Sequence, residues 1–319
     1  MFKLISLVIA FIASIVGPWS VVKGSDEAGE YLEYIAINAV ALDSFDVSYR
    51  IQQVMYPRKR EDEKHIVSLE IVSEHRLIFD KEKKEFLYAE IVRREVDAPD
   101  PKNDAQRTFQ APRASGEQIL VRSFGNGRFR TQFFPGAVSL GEANFDAAVT
   151  ESNLPMLGTI GFGQAFEPLH KGFDKLPEEF ARGRDYYNVA KKLGDDIWIT
   201  YEPPVGTVPF ITITLVVDAK TGMLKRSETT NRTVNPPLVL KEFKTTFEFD
   251  GLRYLPKRLE GESDGTMDSH IEPGVRVGVR KLITLSICWN QLAEDDLKFD
   301  EEIFSNHEKI AAFVKFPEQ

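Results

Sequence analysis

Apolar and polar residues alternate one by one along much of this chain, and a period of two confines such segments to strands with one buried face. Phe45, Val47, Tyr49 and Ile51 fall on one side, and Asp46, Ser48, Arg50 and Gln52 on the other. The pattern returns at Val67–Ile71 and Leu77–Phe79, at Phe86–Val92, at Ile119–Phe124 and at Phe129–Phe134. It continues at Ile197–Tyr201, Phe210–Val217, Phe243–Phe249, Leu252–Leu259 and Ile283–Trp289. Tight-turn chemistry separates the runs: Asp80–Lys84, Gly125-Asn126-Gly127, Asp218–Gly222 and Asp250-Gly251. Asn-Gly and Asp-Gly supply the positive φ that a two-residue hairpin requires. About ten or eleven strands joined mainly by short turns predict a mainly β (α+β) chain with one antiparallel sheet or barrel. Helix between consecutive strands is scarce, which excludes a parallel α/β sheet.

Helical spacing occurs at the start, where Leu32, Ile35, Ala39 and Leu42 place an amphipathic helix over Tyr31–Leu42. Weaker helical segments fall at Glu142–Thr150 and Pro177–Ala181, flanking an apolar, glycine-rich piece from Leu154 to Phe166. Residues 97–116 are rich in Pro, Asp, Lys, Arg and Ser and read as a solvated loop. No linker divides the chain.

Lys3 followed by the uncharged run Leu4–Val16 has the form of a secretory leader, too short for a transmembrane helix, which takes about 20 apolar residues. Gly17-Pro18 breaks the run, and cleavage after Gly24 leaves a single domain over 25–319. Removing Lys3 and Lys23 with residues 1–24 takes the net charge from −9 to about −11. So acidic a chain is not built for nucleic acid or for an anionic membrane surface. The one cysteine, Cys288, rules out an internal disulfide and reads as an inert core residue.

Catalytic motifs are missing. The sequence has no G-x-S-x-G elbow and no phosphate loop, and Gly158, Gly161 and Gly163 are interleaved with apolar residues and followed by no cation. His65, His75, His170, His270 and His307 show no metal-ligand spacing and read as surface or rim histidines. Asp264–His270 holds two acids and a histidine but reads as an ordinary turn. Asn231-Arg232-Thr233 matches a glycosylation acceptor. The expectation is a protein that is not an enzyme and takes no cofactor or metal.

An aromatic surplus remains. Phe124, Phe129, Phe133 and Phe134 surround the Asn-Gly hairpin, and further rings lie on other strands. A sheet curved around one face, with an apolar loop as lid, makes a groove for a hydrophobic molecule. The candidate lining residues are Met156, Leu157, Phe162, Phe166, Trp198, Phe210 and Trp289.

The layout of leader, helix and long hairpins resembles the lipoprotein-carrier-like superfamily, the periplasmic carriers of lipoproteins and their lipid-binding relatives. Leu42–Tyr49 opens the hairpins, and Val217–Arg226 and Phe249–Pro256 are similar to hairpins of the second half. Leu297–Phe304 resembles the closing segment. The resemblance implies a single strongly curved antiparallel sheet, an unclosed half-barrel with a few helices across its concave face and a hydrophobic cavity beneath them. It also implies a lipid or lipoprotein acyl chain as ligand, a protein partner as possible, and a periplasmic or secreted location. The arginine that gates the carriers' cavity is not assigned to any position here, so no carrier residue is carried over. A ligand-free envelope scaffold is the alternative.

Overall fold

The computed structural model describes residues 27–31, 44–59, 63, 68–97, 116–134, 138–151, 187–201, 211–235, 237–251, 254–269, 272, 274–290 and 306–317. Thirteen strands form one sheet. The first six are β1 (Ser44–Pro57), β2 (Ser68–Asp80), β3 (Glu85–Asp97), β4 (Gly116–Gly125), β5 (Arg128–Phe134) and β6 (Val138–Glu142). Then come β7 (Tyr187–Leu193), β8 (Asp196–Tyr201), β9 (Ile211–Asp218) and β10 (Leu224–Asn231). The last three are β11 (Leu238–Phe249), β12 (Tyr254–Asp268) and β13 (Arg276–Asn290). Helix α1 (Phe145–Glu151) follows β6, helix α2 (His307–Val314) follows β13, and residues 27–31 are also helical.

The spatial order is β6-β5-β4-β3-β2-β1-β13-β12-β11-β10-β9-β8-β7. Two meanders, β1 to β6 and β7 to β13, are therefore joined in the middle, where β13 pairs antiparallel with β1 from Asp46↔Asn290 to Pro57↔Val279. The edges β6 and β7 do not pair with each other, so the sheet stays an open half-barrel. The chain must pass from one edge to the other between β6 and β7, and α1 opens that passage.

The turns carry the expected chemistry. Asn126 and Gly127 take φ of 52° and 73°, the doubly positive pair of a type I′ hairpin. In the β9–β10 turn the Asp218 carboxylate accepts from the Lys220 and Thr221 backbone N–H groups at 2.9 and 3.0 Å, and Gly222 takes a φ of 71°.

Four elements differ from the sequence reading. β6, β7 and β10 are strands that the alternation pattern did not single out. β6 is a short edge strand exposed at every position, so no buried face imprints a period on it. The Asp264–His270 stretch is no turn at its start, because β12 runs through Asp268. Its acids are accommodated by neighbouring cations: Arg280 donates to Asp264 at 2.7 Å and to Glu262 at 2.7 Å, and Arg58 lies 3.2 Å from Asp264. Tyr31–Leu42 beyond Tyr31, Pro177–Ala181, the leader and most of 97–116 lie outside the described residues.

The sheet's two faces have different partners. One packs Phe45, Val47, Tyr49, Leu77, Phe79, Phe86, Tyr88, Leu120, Phe124, Phe243, Leu259, Leu285 and Ile287 into one core with Ala148 of α1. The other packs Leu87, Ala89, Ile91, Ile119 and Val121 against Ile310 and Val314, one turn apart on α2. Asn306 caps α2 by accepting from the Glu308 N–H at 2.8 Å. The two helices thus lie on opposite faces.

Candidate ligand-binding face

Cross-strand register builds the aromatic face. Phe45 pairs with Phe79, Phe79 with Phe86, Phe86 with Phe124, and Phe124 with Phe129. Five strands therefore contribute one phenylalanine each to a single row perpendicular to the strands. Directly opposed residues have Cβ atoms about 5 Å apart, close enough for rings to stack. Phe45 and Phe79 stack with centroids 5.2 Å apart, and Phe86 and Phe124 at 6.3 Å. Phe145, the first residue of α1, drops onto this row, 5.6 Å from Phe79, 6.4 Å from Phe86 and 5.7 Å edge-on to Phe124. At the β13 end, Trp289 meets Phe45 edge-on at 6.3 Å, and its indole N–H donates to the Pro256 carbonyl at 2.8 Å.

Moving along the strands away from this row, the same face acquires polar groups. The next rows read Val47↔Leu77↔Tyr88↔Arg122 and then Tyr49↔His75↔Glu90↔Leu120. The imidazole of His75 lies flat on Tyr49, centroids 4.4 Å apart and planes 8° apart. The Tyr88 hydroxyl donates to Glu90 Oε2 at 2.6 Å. The Tyr88 oxygen is then left to accept from His75 Nδ1–H at 2.9 Å, and His75 Nε2 lies 2.7 Å from Ser73 Oγ. Burial pushes both tyrosine hydroxyls well above their usual range, with the Tyr49 and Glu90 charges adding to it at Tyr88. At Glu90 burial acts in the raising direction, but His75, 3.4 Å away, together with the Tyr88 hydroxyl and the charge of Arg122 outweighs it and holds the carboxyl below its usual value. Beyond this cluster the face opens: Ile51 and Val92 are half-buried and Gln118 is exposed.

Ser73, His75 and Glu90 have the order of a nucleophile relay, yet β2 is paired on both sides. Its backbone N–H groups are committed to ladder bonds and offer no preorganised oxyanion site. Among the described residues no group of His, Cys, Asp and Glu could hold a metal ion, and no helix is long and apolar enough to cross a membrane.

Of the residues singled out in the sequence, Trp289 stands on the aromatic face. Trp198 stands on the other face, since the register runs Trp198↔Val216↔Arg226↔Lys244↔Glu260↔Thr284↔Gln52. There Lys191 Nζ lies 4.1 Å from its ring centroid. Met156, Leu157, Phe162, Phe166 and Phe210 lie outside the described residues. The phenylalanines around the Asn-Gly hairpin divide: Phe124 and Phe129 join the aromatic row, while Phe134 packs toward α2. His75, expected at the surface or rim, is buried, because Tyr49, Tyr88 and Ser73 enclose it. Its parity with Leu77 and Phe79 was the available signal. Cys288 is half-buried rather than in the core, and burial raises its thiol.

These features define a class: an open, single-sheet antiparallel half-barrel with one aromatic face. No family model matches the chain, and no curated protein matches it. Among solved structures it is similar to the LolA superfamily protein NE2245 of Nitrosomonas europaea, at 12% identity and a TM-score of 0.34, over 88% of this chain and 97% of that one. It is also similar to a Vibrio parahaemolyticus domain named for outer membrane lipoprotein sorting, at 10% identity and a TM-score of 0.34, over 87% and 100% of the two chains. A chain in the Pseudomonas aeruginosa MucA/MucB complex follows at 10% identity and a TM-score of 0.24, over 83% of this chain and all of that one.

Proposed function

We propose that this protein is an exported, non-enzymatic binding protein whose aromatic face receives a lipid, a lipoprotein acyl chain or a similar apolar ligand. The observation that carries the reading is the five-strand phenylalanine row on one face of an open sheet. An open sheet has no second sheet to cover that face, so the cover must come from helices, connections or a guest. The passage from α1 on this face to β7 at the far edge contains the apolar segment Leu154–Phe166. Met156, Leu157, Phe162 and Phe166 are proposed to line the ligand, with Trp289 at the β13 side. Burying about twelve methylenes gains roughly 10 kcal/mol at about 0.8 kcal/mol each. Immobilisation offsets much of that and leaves micromolar binding.

The alternative, a ligand-free scaffold for an envelope partner, is favoured by Phe145, which fills the middle of the row. Replacing Phe162 and Phe166 by Ser separates the two. Binding of the neutral probe N-phenyl-1-naphthylamine is expected to weaken at least tenfold. Unchanged binding of this and every other hydrophobic probe contradicts the carrier reading.

A further inference from the structure

The two edges of the open sheet are finished differently. An edge strand offers unpaired backbone N–H and C=O groups to any other strand, and proteins discourage that pairing with lysines, prolines, bulges or short edges. β7 is protected: a bulge interrupts its pairing with β8 between Val189 and Lys191, and Lys191 and Lys192 stand exposed on it. β6 reads Val138-Ser139-Leu140-Gly141-Glu142, with no lysine, no proline and an unbroken register against β5. Its five-residue length is its one safeguard. Large apolar side chains are exposed around it, Leu140 at 72%, Val138 at 40% and Phe133 of the neighbouring β5 at 59%.

We infer that β6 is a self-pairing edge, through which two copies of this chain join antiparallel about a two-fold axis at Ser139. The strand is complementary to itself in that register. Val138 of each copy meets Leu140 of the other, so the seam covers both exposed aliphatics with cross-strand apolar pairs. Glu142, the one charged residue of β6, falls outside those pairs and meets no like charge. The aromatic face gains as well. Phe133 is on that face, opposite Leu120, and Gly141 continues the phenylalanine row beyond Phe129, with open space where a Cβ would be. Gln132 faces Val138, and Val138 of the second copy faces Leu140, so Phe133 of that copy falls in the column of Gly141. Each exposed Phe133 thereby extends the other copy's row across the seam. A two-fold pair closes on itself, whereas pairing β6 with the β7 of another copy would propagate a filament, which the bulge and lysines of β7 oppose. So short a seam falls below the roughly 1,200–2,000 Å² of a standard stable interface, which makes the dimer reversible.

Sedimentation velocity from about one to about two hundred micromolar protein tests it, with a dimer expected to grow in over that range. Leu140→Lys sets a charge against the seam and is expected to weaken self-association at least tenfold, with an unchanged urea midpoint because the residue is exposed in the single chain. Register is read by mild oxidation in a Cys288→Ser background: Ser139→Cys, on the axis, is expected to give a disulfide-linked dimer, and Glu142→Cys, far from its own copy, is not. A monomer at every concentration overturns the self-pairing, whether or not another protein cross-links through Ser139→Cys. So does a dimer that survives Leu140→Lys, or one that cross-links through Glu142→Cys and not through Ser139→Cys. None of these outcomes depends on whether the protein binds an apolar ligand.

Discussion

The two faces of this sheet use the same strands to opposite ends. On the aromatic face, side chains of successive strands meet as rings, and the polar residues that intrude are gathered into one hydrogen-bonded cluster around His75. The other face is laced with ion pairs: Arg93 bridges Glu74 and Glu117 at 2.9 and 2.8 Å, His307 of α2 meets Glu117 at 2.7 Å, and Arg226 lies 2.6 Å from Glu228. A buried exception ties α2 down there. Asp46 is 1% exposed and receives both the Nε and the NH2 group of Arg76, at 3.0 and 2.6 Å, while that guanidinium sits 4.7 Å from the Phe313 ring centroid. One face invests in non-directional burial, which a guest can share. The other invests in geometry, which holds a fixed helix.

The largest expected effect comes from truncating the aromatic row at its centre. Phe86→Ala empties a fully buried position between Phe124, Phe129 and Phe145 and is expected to cost about 3–5 kcal/mol, read from the urea midpoint. A cost below about 1 kcal/mol means that the row is not the core. On the opposite face, Arg76→Ala leaves the Asp46 carboxylate buried with, among the described residues, only Asn290 donating to it at 3.2 Å. It is expected to cost about 3 kcal/mol and to raise amide exchange across residues 307–314. Loss of stability without faster exchange in α2 would separate that helix from the Asp46–Arg76 pair.

Gly261→Ala probes how closely the aromatic face is packed. A Cβ there falls 2.2 Å from the Phe243 ring and 2.4 Å from the Glu242 carbonyl oxygen, so backbone must shift, at about 1–3 kcal/mol. Full stability would show that Phe243 can leave its place over the glycine.

The smallest effect is the pH response of the charged face. The hydrogen bond from His307 and then the Arg93 pair hold the Glu117 carboxyl below its ordinary range, against burial. A carboxyl lowered by folding stabilises above its unfolded value, and that contribution is lost as pH falls through the folded value. Protection of α2 should therefore decline on acidification before the aromatic row loosens, by under about 1 kcal/mol for so exposed a pair. Glu117→Gln should remove that decline, and its persistence would assign it elsewhere.

Sequence legibility differs between the faces in the same way. Period-two alternation exposes long, half-buried strands, so β1, β3, β5, β9 and β13 are readable, as are the hairpins fixed by Asn126-Gly127 and Gly222. β6 is not readable, because an exposed edge strand needs no apolar face. The phenylalanine row was legible only in parts: each ring shows on its own strand, but their alignment depends on register between strands. His75 was misplaced because a single histidine reads as surface, although its inward parity and the three partners that satisfy it allow burial. Trp198 illustrates the reverse. It is apolar and on a strand, yet one residue of parity turns it to the charged face beneath Lys191.

The most direct test of the apolar-ligand reading is mass spectrometry of an organic extract of the chain purified from Ser25 onward. A lipid recovered in a near one-to-one ratio with protein is the predicted result. A protein that yields no lipid and then ignores added fatty acids and phospholipids contradicts the account and leaves the scaffold.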